Sequence, residues 1–471
     1  MLGVPESTAA GADRGVRQPV AGLTLEGLTA LNVDGRAVPR LAESWAWENG
    51  GRTLRLRIRQ DVVFHDGTPF TASTAADALR EAIARPNNRA LYSSLTDIAS
   101  VAADGTRDVV IRLSQPSAFL PEDLELPLIR GNQIGTGPFK VVQNQQAEIV
   151  LDRFNSYYLG TPKVDRVTVR AFSTLRTAWA SLLRGDIDMV TNVPPEAVEF
   201  VTNDRVRVLS FSRHYQYLIA FNSKQGPLRS AQLRRALNLA VDRDEILRNV
   251  LRGHGQSSTG ALWPQHWAYD GSTPGYSYQP ALAKSLIESV PGRSTVSLAS
   301  NAAPNAALRF TCLVPANFSL LERLALEVQR QLYTVGVDMQ FQVLPADEFN
   351  ARITEGKFEA ALLDMISGPS LGRAYIFWRS ARHFTGLNTF GYENPDAERM
   401  FDVLRTSTND GAVRSSLTRL QRIFLDDPPA LFLAWNDRTM AVRRDFNVVD
   451  EPGRDPFYTI WRWTQTTSDS R

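Results

Sequence analysis

The chain has 471 residues, 43% hydrophobic and 22% charged, a normal globular balance over a length that calls for two or three structural units. Lys+Arg 52 against Asp+Glu 50 leaves a formal net charge of +2, which argues against the concentrated basic footprint of a nucleic-acid binder. The single cysteine, Cys312, excludes an intramolecular disulfide and a thiolate metal cluster.

Leu2–Pro5 reads as a short first strand, and the small, polar, Gly-containing stretch 6–17 as loop. Leu54, Leu56 and Ile58 alternate with Arg55 and Arg57, the pattern of a half-buried strand with a solvated arginine face. His65-Asp66-Gly67 is a turn, and Thr71 caps a helix whose Ala75, Leu79, Ala82 and Ile83 share one face. Strands are predicted at 109–113, 139–142, 147–154, 164–172 and 206–211, with a helix over 175–183 ended by Gly185. Asp186 and Asp188 follow on alternate positions. They imitate a carboxylate pair, but a solvated strand end is the reading that fits them.

Residues 217–222 form a further strand. Ser230 caps a helix carrying Leu233, Ala236, Leu237 and Ala240, and Asp242 with Glu245 makes a capping box for the next. Trp263 to Gly275 is rich in Pro, Gly and aromatics and reads as an ordered loop. Residues 308–343 follow a strand, helix, strand pattern in which Ser319 and Glu322 make another capping box. That is a βαβ crossover with a parallel pair, and it puts Cys312 on the buried side of its strand. A last helix covers about 411–425.

Catalytic patterns are missing from the sequence. It contains no Gly-x-Ser-x-Gly, no His-Glu-x-x-His and no Gly-rich phosphate loop with lysine, and His65, His214, His254, His266 and His383 are scattered. No apolar run approaches the roughly 20 residues of a membrane span. The N-terminal residues show neither a basic-then-apolar leader nor a cysteine for lipidation.

Four phrases occur in order: LAESWAW (41–47), FHDGTPFTA (64–72), GTGPFKVV (135–142) and LRRALNLAVDRDEIL (233–247). With NSYYLGTPKVDRV (155–167), LRGDIDMV (183–190) and LNTFGYENPDAERMF (387–401), the series resembles the family-5 extracellular solute-binding proteins, the peptide and nickel receptors of ABC importers. The resemblance implies an α/β, two-lobed periplasmic-binding-protein-like fold of type II, cluster C. Lobe one would be 1–221 plus 436–471 with an inserted subdomain at about 33–155. Lobe two would be 222–435, joined to the first by two hinge strands.

The function so implied is an extracytoplasmic receptor, monomeric and not an enzyme. It would close on a peptide-like or other polar organic ligand and deliver it to ABC permease subunits, with no cofactor, no metal and no nucleic-acid partner. Periplasmic placement would require a leader that was removed or lies outside this sequence. The alternative is a cytosolic ligand-sensing regulatory module on the same scaffold. By resemblance the ligand-facing residues are Tyr217, Phe221, Asn222, Trp263, His266, Asp364, Met365, Ser367, Arg373, Trp435, Asn436 and Arg438. Peptide-binding members carry a Trp and then an Asp that pairs with the peptide ammonium. Met365 and Gly368 stand at those places here.

Overall fold

The structure, a computed structural model, describes residues 1–5, 12–131, 134–145, 147–290, 308–380 and 387–466. His383 lies outside them. Two compact units are present, Met1–Arg213 with Arg438–Arg471, and His214–Asp437. The chain passes between them within two long strands, Val206–Phe221 and Ala430–Arg443. The divides thus fall after 213 and 437, against the 221 and 435 that the resemblance implies.

In the first unit, Leu2–Pro5 lies parallel to both Arg166–Phe172 and Met189–Thr191. Glu148–Arg153 and Phe139–Gln145 extend this sheet on one side, and the end of Ala430–Arg443 pairs with Met189–Thr191 on the other. Phe139–Gln145 and Glu148–Arg153 therefore belong to the main sheet, although the resemblance implies an insert reaching to about 155. Its centre is a separate antiparallel sheet of Ala42–Glu48, Thr53–Ile58, Asp108–Leu113 and Ile98–Asp104. Leu54, Leu56 and Ile58 face inward to a core that also holds Phe64, Phe70, Leu79 and Ile83.

Local chemistry sets the helix ends here. Thr71 and Thr74 form a reciprocal capping box at the start of Ala72–Ala84, and Thr174 with Thr177 does the same for Leu175–Arg184. Gly185 ends that second helix in the left-handed region at φ 81. The glycines of GTGPF have a packing reason. A Cβ on Gly135 would lie 2.1 Å from the Thr24 carbonyl oxygen, and one on Gly137 2.6 Å from the Thr24 carbonyl carbon.

Part of the loop expected over 6–17 is helix. Ala12–Thr24 buries Val16, Val20 and Leu23 at i, i+4 and i+7 despite an internal Pro19. The apolar stripe outweighs the small, polar, Gly-containing composition that read as loop. Residues 6–11 are outside the described set. Asp186 and Asp188 precede the strand Met189–Thr191 instead of sitting in it. Asp186 pairs with Arg184, and Asp188 lies 3.7 Å from Arg443. They make no carboxylate pair.

The second unit contains the expected crossover. Leu308–Pro315 and Val337–Leu344 are parallel and joined by the helix Ser319–Thr334. Ala360–Ile366 adds in parallel on the other side and runs antiparallel to Tyr215–Phe221. Cys312 is fully buried, and burial pushes its thiol up to about 12. It is a core thiol, not a nucleophile.

Two capping boxes differ from expectation. Asp242 accepts from the Glu245 amide at 3.0 Å, but the Asp242 amide goes to Gln331 Oε1 at 2.7 Å, so a neighbouring helix supplies what Glu245 was expected to give. Ser319 is already inside its helix, and the cap position is Phe318 with no side-chain bond. The strands predicted at 206–211 and 217–222 are one, Val206–Phe221, carried through His214 at φ 58. No Pro or Gly interrupts it, and a single left-handed residue kinks the strand without ending it.

Candidate ligand-binding site

The kink at His214 organises a patch on the second unit. The His214 carbonyl accepts from the amides of both Ser367 and Gly368, each at 3.1 Å. This holds the end of Ala360–Ile366 against the kinked strand. The His214 ring meets Trp263 edge-on at 4.9 Å, and Trp263 meets Trp435 edge-on at 4.9 Å. Such edge-to-face pairs contribute about 0.5–1.5 kcal/mol beyond area burial. Gly368 lies beneath them. A Cβ there would be 3.1 Å from Trp263 Cβ and 3.6 Å from Trp435 Cζ3. The indoles occupy the space a larger residue at 368 would need.

A second set of bonds positions the loop that carries Trp263. Gln216, two residues after His214 and fully buried, donates through Nε2 to Ser258 Oγ and to the Gly260 carbonyl. Arg243, also buried, donates through Nε to the Ser258 and Phe432 carbonyls, through Nη1 to the Asn238 and Val241 carbonyls, and through Nη2 to Asn238 Oδ1. It has no carboxylate partner among the described residues, and burial lowers it to about 10. A guanidinium surrounded by carbonyls is a rigid fork that ties the loop to Ala430–Arg443.

Two polar atoms of this patch have no partner among the described residues, His214 Nε2 and Gln216 Oε1. Burial alone pushes the His214 imidazole down to about 4, so it is neutral at neutral pH. Leaving a buried polar atom unpaired costs about 1–3 kcal/mol, and the His214 ring lies against Trp263.

Of the twelve residues expected at the ligand, Trp263 and Trp435 are in this patch. Ser367 adjoins it, with its hydroxyl bound to the Met365 carbonyl at 3.2 Å. Met365 is buried opposite Gln216 in register, whereas Asp364 is exposed opposite Tyr217. Arg373 is 5% exposed in Leu371–Trp378, a helix buried along its whole length. Asn436 is half-buried, next in sequence to Trp435.

Four of the remaining five have structural duties, and the fifth, Arg438, lies in the first unit. Tyr217 and Phe221 belong to the core of the second unit. The Asn222 amide donates to the Gly356 and Phe358 carbonyls and its oxygen accepts from the Lys224 amide, which uses its polar capacity on a turn. His266 accepts through Nδ1 from the Ala268 amide at 3.1 Å, inside the Trp263–Gly275 loop. Arg438 donates through Nε to Asn192 Oδ1 at 2.6 Å.

His214 and Gln216 were not picked out from sequence. Polar residues at alternate positions of a buried strand are a readable signal. It was hidden because 212–216 fell between two predicted strands. Among the described residues, no group of three or more His, Cys, Asp or Glu is placed to hold a metal ion, and no helix is long and apolar enough to cross a membrane.

Comparison with known proteins shows the family and the fold. Residues 36–382 match the pattern described as bacterial extracellular solute-binding proteins, family 5 Middle. The oligopeptide-binding protein AppA of Bacillus subtilis (strain 168) is 24% identical, over 90% of this chain and 82% of its own. The glutathione-binding protein GsiB of Shigella dysenteriae serotype 1 is 26% identical, over 85% and 80%. The crystal structure of NikZ from Campylobacter jejuni in complex with Ni(L-His) shares the fold, with TM-score 0.80, 21% identity and coverage of 98% of this chain and 99% of that one.

Proposed function

Since this chain belongs to family 5 of the bacterial extracellular solute-binding proteins, a family of binding proteins and not enzymes, we propose that it captures a polar organic ligand lacking a free α-ammonium and delivers it to an ABC permease. An extracellular family also speaks against the cytosolic sensing alternative.

The observation that carries the ligand reading is the packing at Gly368. In the resemblance this is the place of the acid that pairs with a peptide ammonium. Here a Cβ would already lie 3.1 Å from Trp263, and the nearby imidazole is neutral. An ammonium brought to two indoles and a neutral histidine would lose water without gaining an ion pair, which is costly. His214 Nε2 and Gln216 Oε1 supply instead a neutral set: one ring nitrogen that can donate or accept, and one amide oxygen that accepts. Such a set suits hydroxyls, amides or a blocked amine. On this reading the two strands that pass between the units act as the hinge for capture.

The test is thermal unfolding of the purified protein against free peptides, N-acetylated peptides, opines, sugars and metal chelates. A ligand at a hundredfold its Kd stabilises by about 2.7 kcal/mol, which is readable as a shift in Tm. N-blocked or hydroxyl-rich compounds should raise Tm, and the matching free amines should not. Stabilisation that depends on a free α-ammonium would overturn the ligand class. No stabilisation by any compound of a broad set would overturn the receptor reading for this chain.

A further inference from the structure

We propose that an arginine-lined groove on the first unit, at the far ends of the strands Val206–Phe221 and Ala430–Arg443 from His214 and Trp435, is a contact surface for an anionic lipid bilayer. The groove has a volume of about 540 Å³ and is lined by Leu183, Arg184, Arg205, Arg443 and Arg444, with Asp204 and Asp445 as lining acids and with Asp186 and Asp188 beside it as partners of Arg184 and Arg443. The Arg444 amide donates to the Arg205 carbonyl at 2.9 Å, which sets these two arginines on neighbouring chain segments.

The four guanidiniums are not equivalent. Arg184 is held by Asp186 at 2.8 Å, and Arg443 by Asp445 at 2.9 Å with Asp188 at 3.7 Å. Arg205 and Arg444 are exposed and make no salt bridge among the described residues. Arg444 spends only Nε, on the Asn203 carbonyl at 3.1 Å. No bond to a described residue uses their remaining side-chain N–H groups, which can meet an anion from outside. A guanidinium is suited to phosphate oxygens by its planar fork.

Apolar side chains accompany them. Leu183 is 48% exposed on the groove itself. Phe200 is 78% exposed on the short helix Val198–Val201, which leads directly into Asn203 and Arg205 of the groove. A free phosphate would satisfy the arginine pair and leave Phe200 and Leu183 in water. A bilayer surface meets both needs, with headgroup phosphates for the guanidiniums and the acyl boundary for the phenyl ring and the leucine. The contact is peripheral, because no described helix can span the membrane.

The experiment is flotation of the full chain with vesicles of phosphatidylcholine alone or mixed with phosphatidylglycerol, at low and at raised salt. The bound fraction should rise on the anionic vesicles and fall with salt. Arg205→Glu with Arg444→Glu should weaken binding about tenfold or more, from roughly 1 kcal/mol per basic residue at an anionic surface. Phe200→Ser should weaken binding to the same vesicles and keep its salt dependence. All three substitutions are on exposed residues and should leave Tm and any ligand-induced shift intact, so this outcome is separable from that of the receptor reading. Equal binding to neutral and anionic vesicles, or no loss in the variants, overturns the proposal. So does release by millimolar inorganic phosphate, which would mark a free-anion site. Binding only to vesicles that contain a permease would assign the surface to a protein partner and overturn the lipid contact.

Discussion

Two polar clusters of this protein, one in each unit, treat their hydrogen bonds in opposite ways. In the first unit, Glu26 is buried and fully used. Its Oε1 takes bonds from Tyr157 at 3.0 Å and Tyr158 at 3.2 Å and pairs with Arg40 at 2.6 Å, while Oε2 takes one from Thr136 at 2.9 Å. Burial works against the Arg40 charge, but Glu26 and the tyrosines outweigh it and hold Arg40 above its usual value. Burial, then Glu26, raises both tyrosines. In the second unit, His214 and Gln216 keep one atom each without a partner among the described residues. A closed set of bonds fixes a fold. An open set beside aromatic rings is capacity held for something else.

The largest expected effect breaks the closed cluster. Glu26→Ala leaves the Arg40 charge buried without its partner and should cost about 3–5 kcal/mol, read as the midpoint shift in urea unfolding. A loss below about 1 kcal/mol would mean the cluster tolerates an open partner, and the contrast between the units would fail.

The next acts on the open patch. Gly368→Ala places a Cβ 3.1 Å from Trp263 Cβ, so the indole must yield. The expected cost is about 1–3 kcal/mol of stability, with loss of the ligand-induced Tm shift. A variant that keeps both unchanged would show that the contact with Trp263 does not shape the site.

The smallest is a pH effect. The His214 pKa is about 4 when folded and 6.5 by the ordinary value. The unfolded chain therefore takes the proton first, and stability falls as pH drops from 6.5 towards 4. Between pH 7 and pH 5 the loss from this group should be about 1–2 kcal/mol. His214→Gln should flatten that part of the profile in denaturant titrations at the two pH values. The Glu26 cluster should contribute no such slope through Arg40 or its tyrosines, which are all held above their ordinary values. An unchanged profile in the variant would place the acid sensitivity elsewhere.

Much of the fold was legible because it is local. The βαβ unit, the caps at Thr71, Ser230 and Asp242, and the stop at Gly185 follow from side-chain periodicity and turn chemistry within a few residues. The glycines of GTGPF could be seen as a motif but not explained, because their reason is the backbone at Thr24, over a hundred residues away in sequence. The site was less legible. Asn222 and His266 looked like free polar groups and are used in turns, while His214 and Gln216 were lost in what read as a break between strands.

The amino-acid sequence by itself determined the fold class and the family, since each is written in residue order and short-range pattern. Only the tertiary structure decided that Trp263 and Trp435 pack over Gly368, that Arg243 ties down the loop at Ser258, and that two polar atoms near the kink have no partner among the described residues. Those facts depend on strands and loops far apart in the chain meeting at ångström distances. Composition and periodicity carry no information about such meetings until the chain has folded.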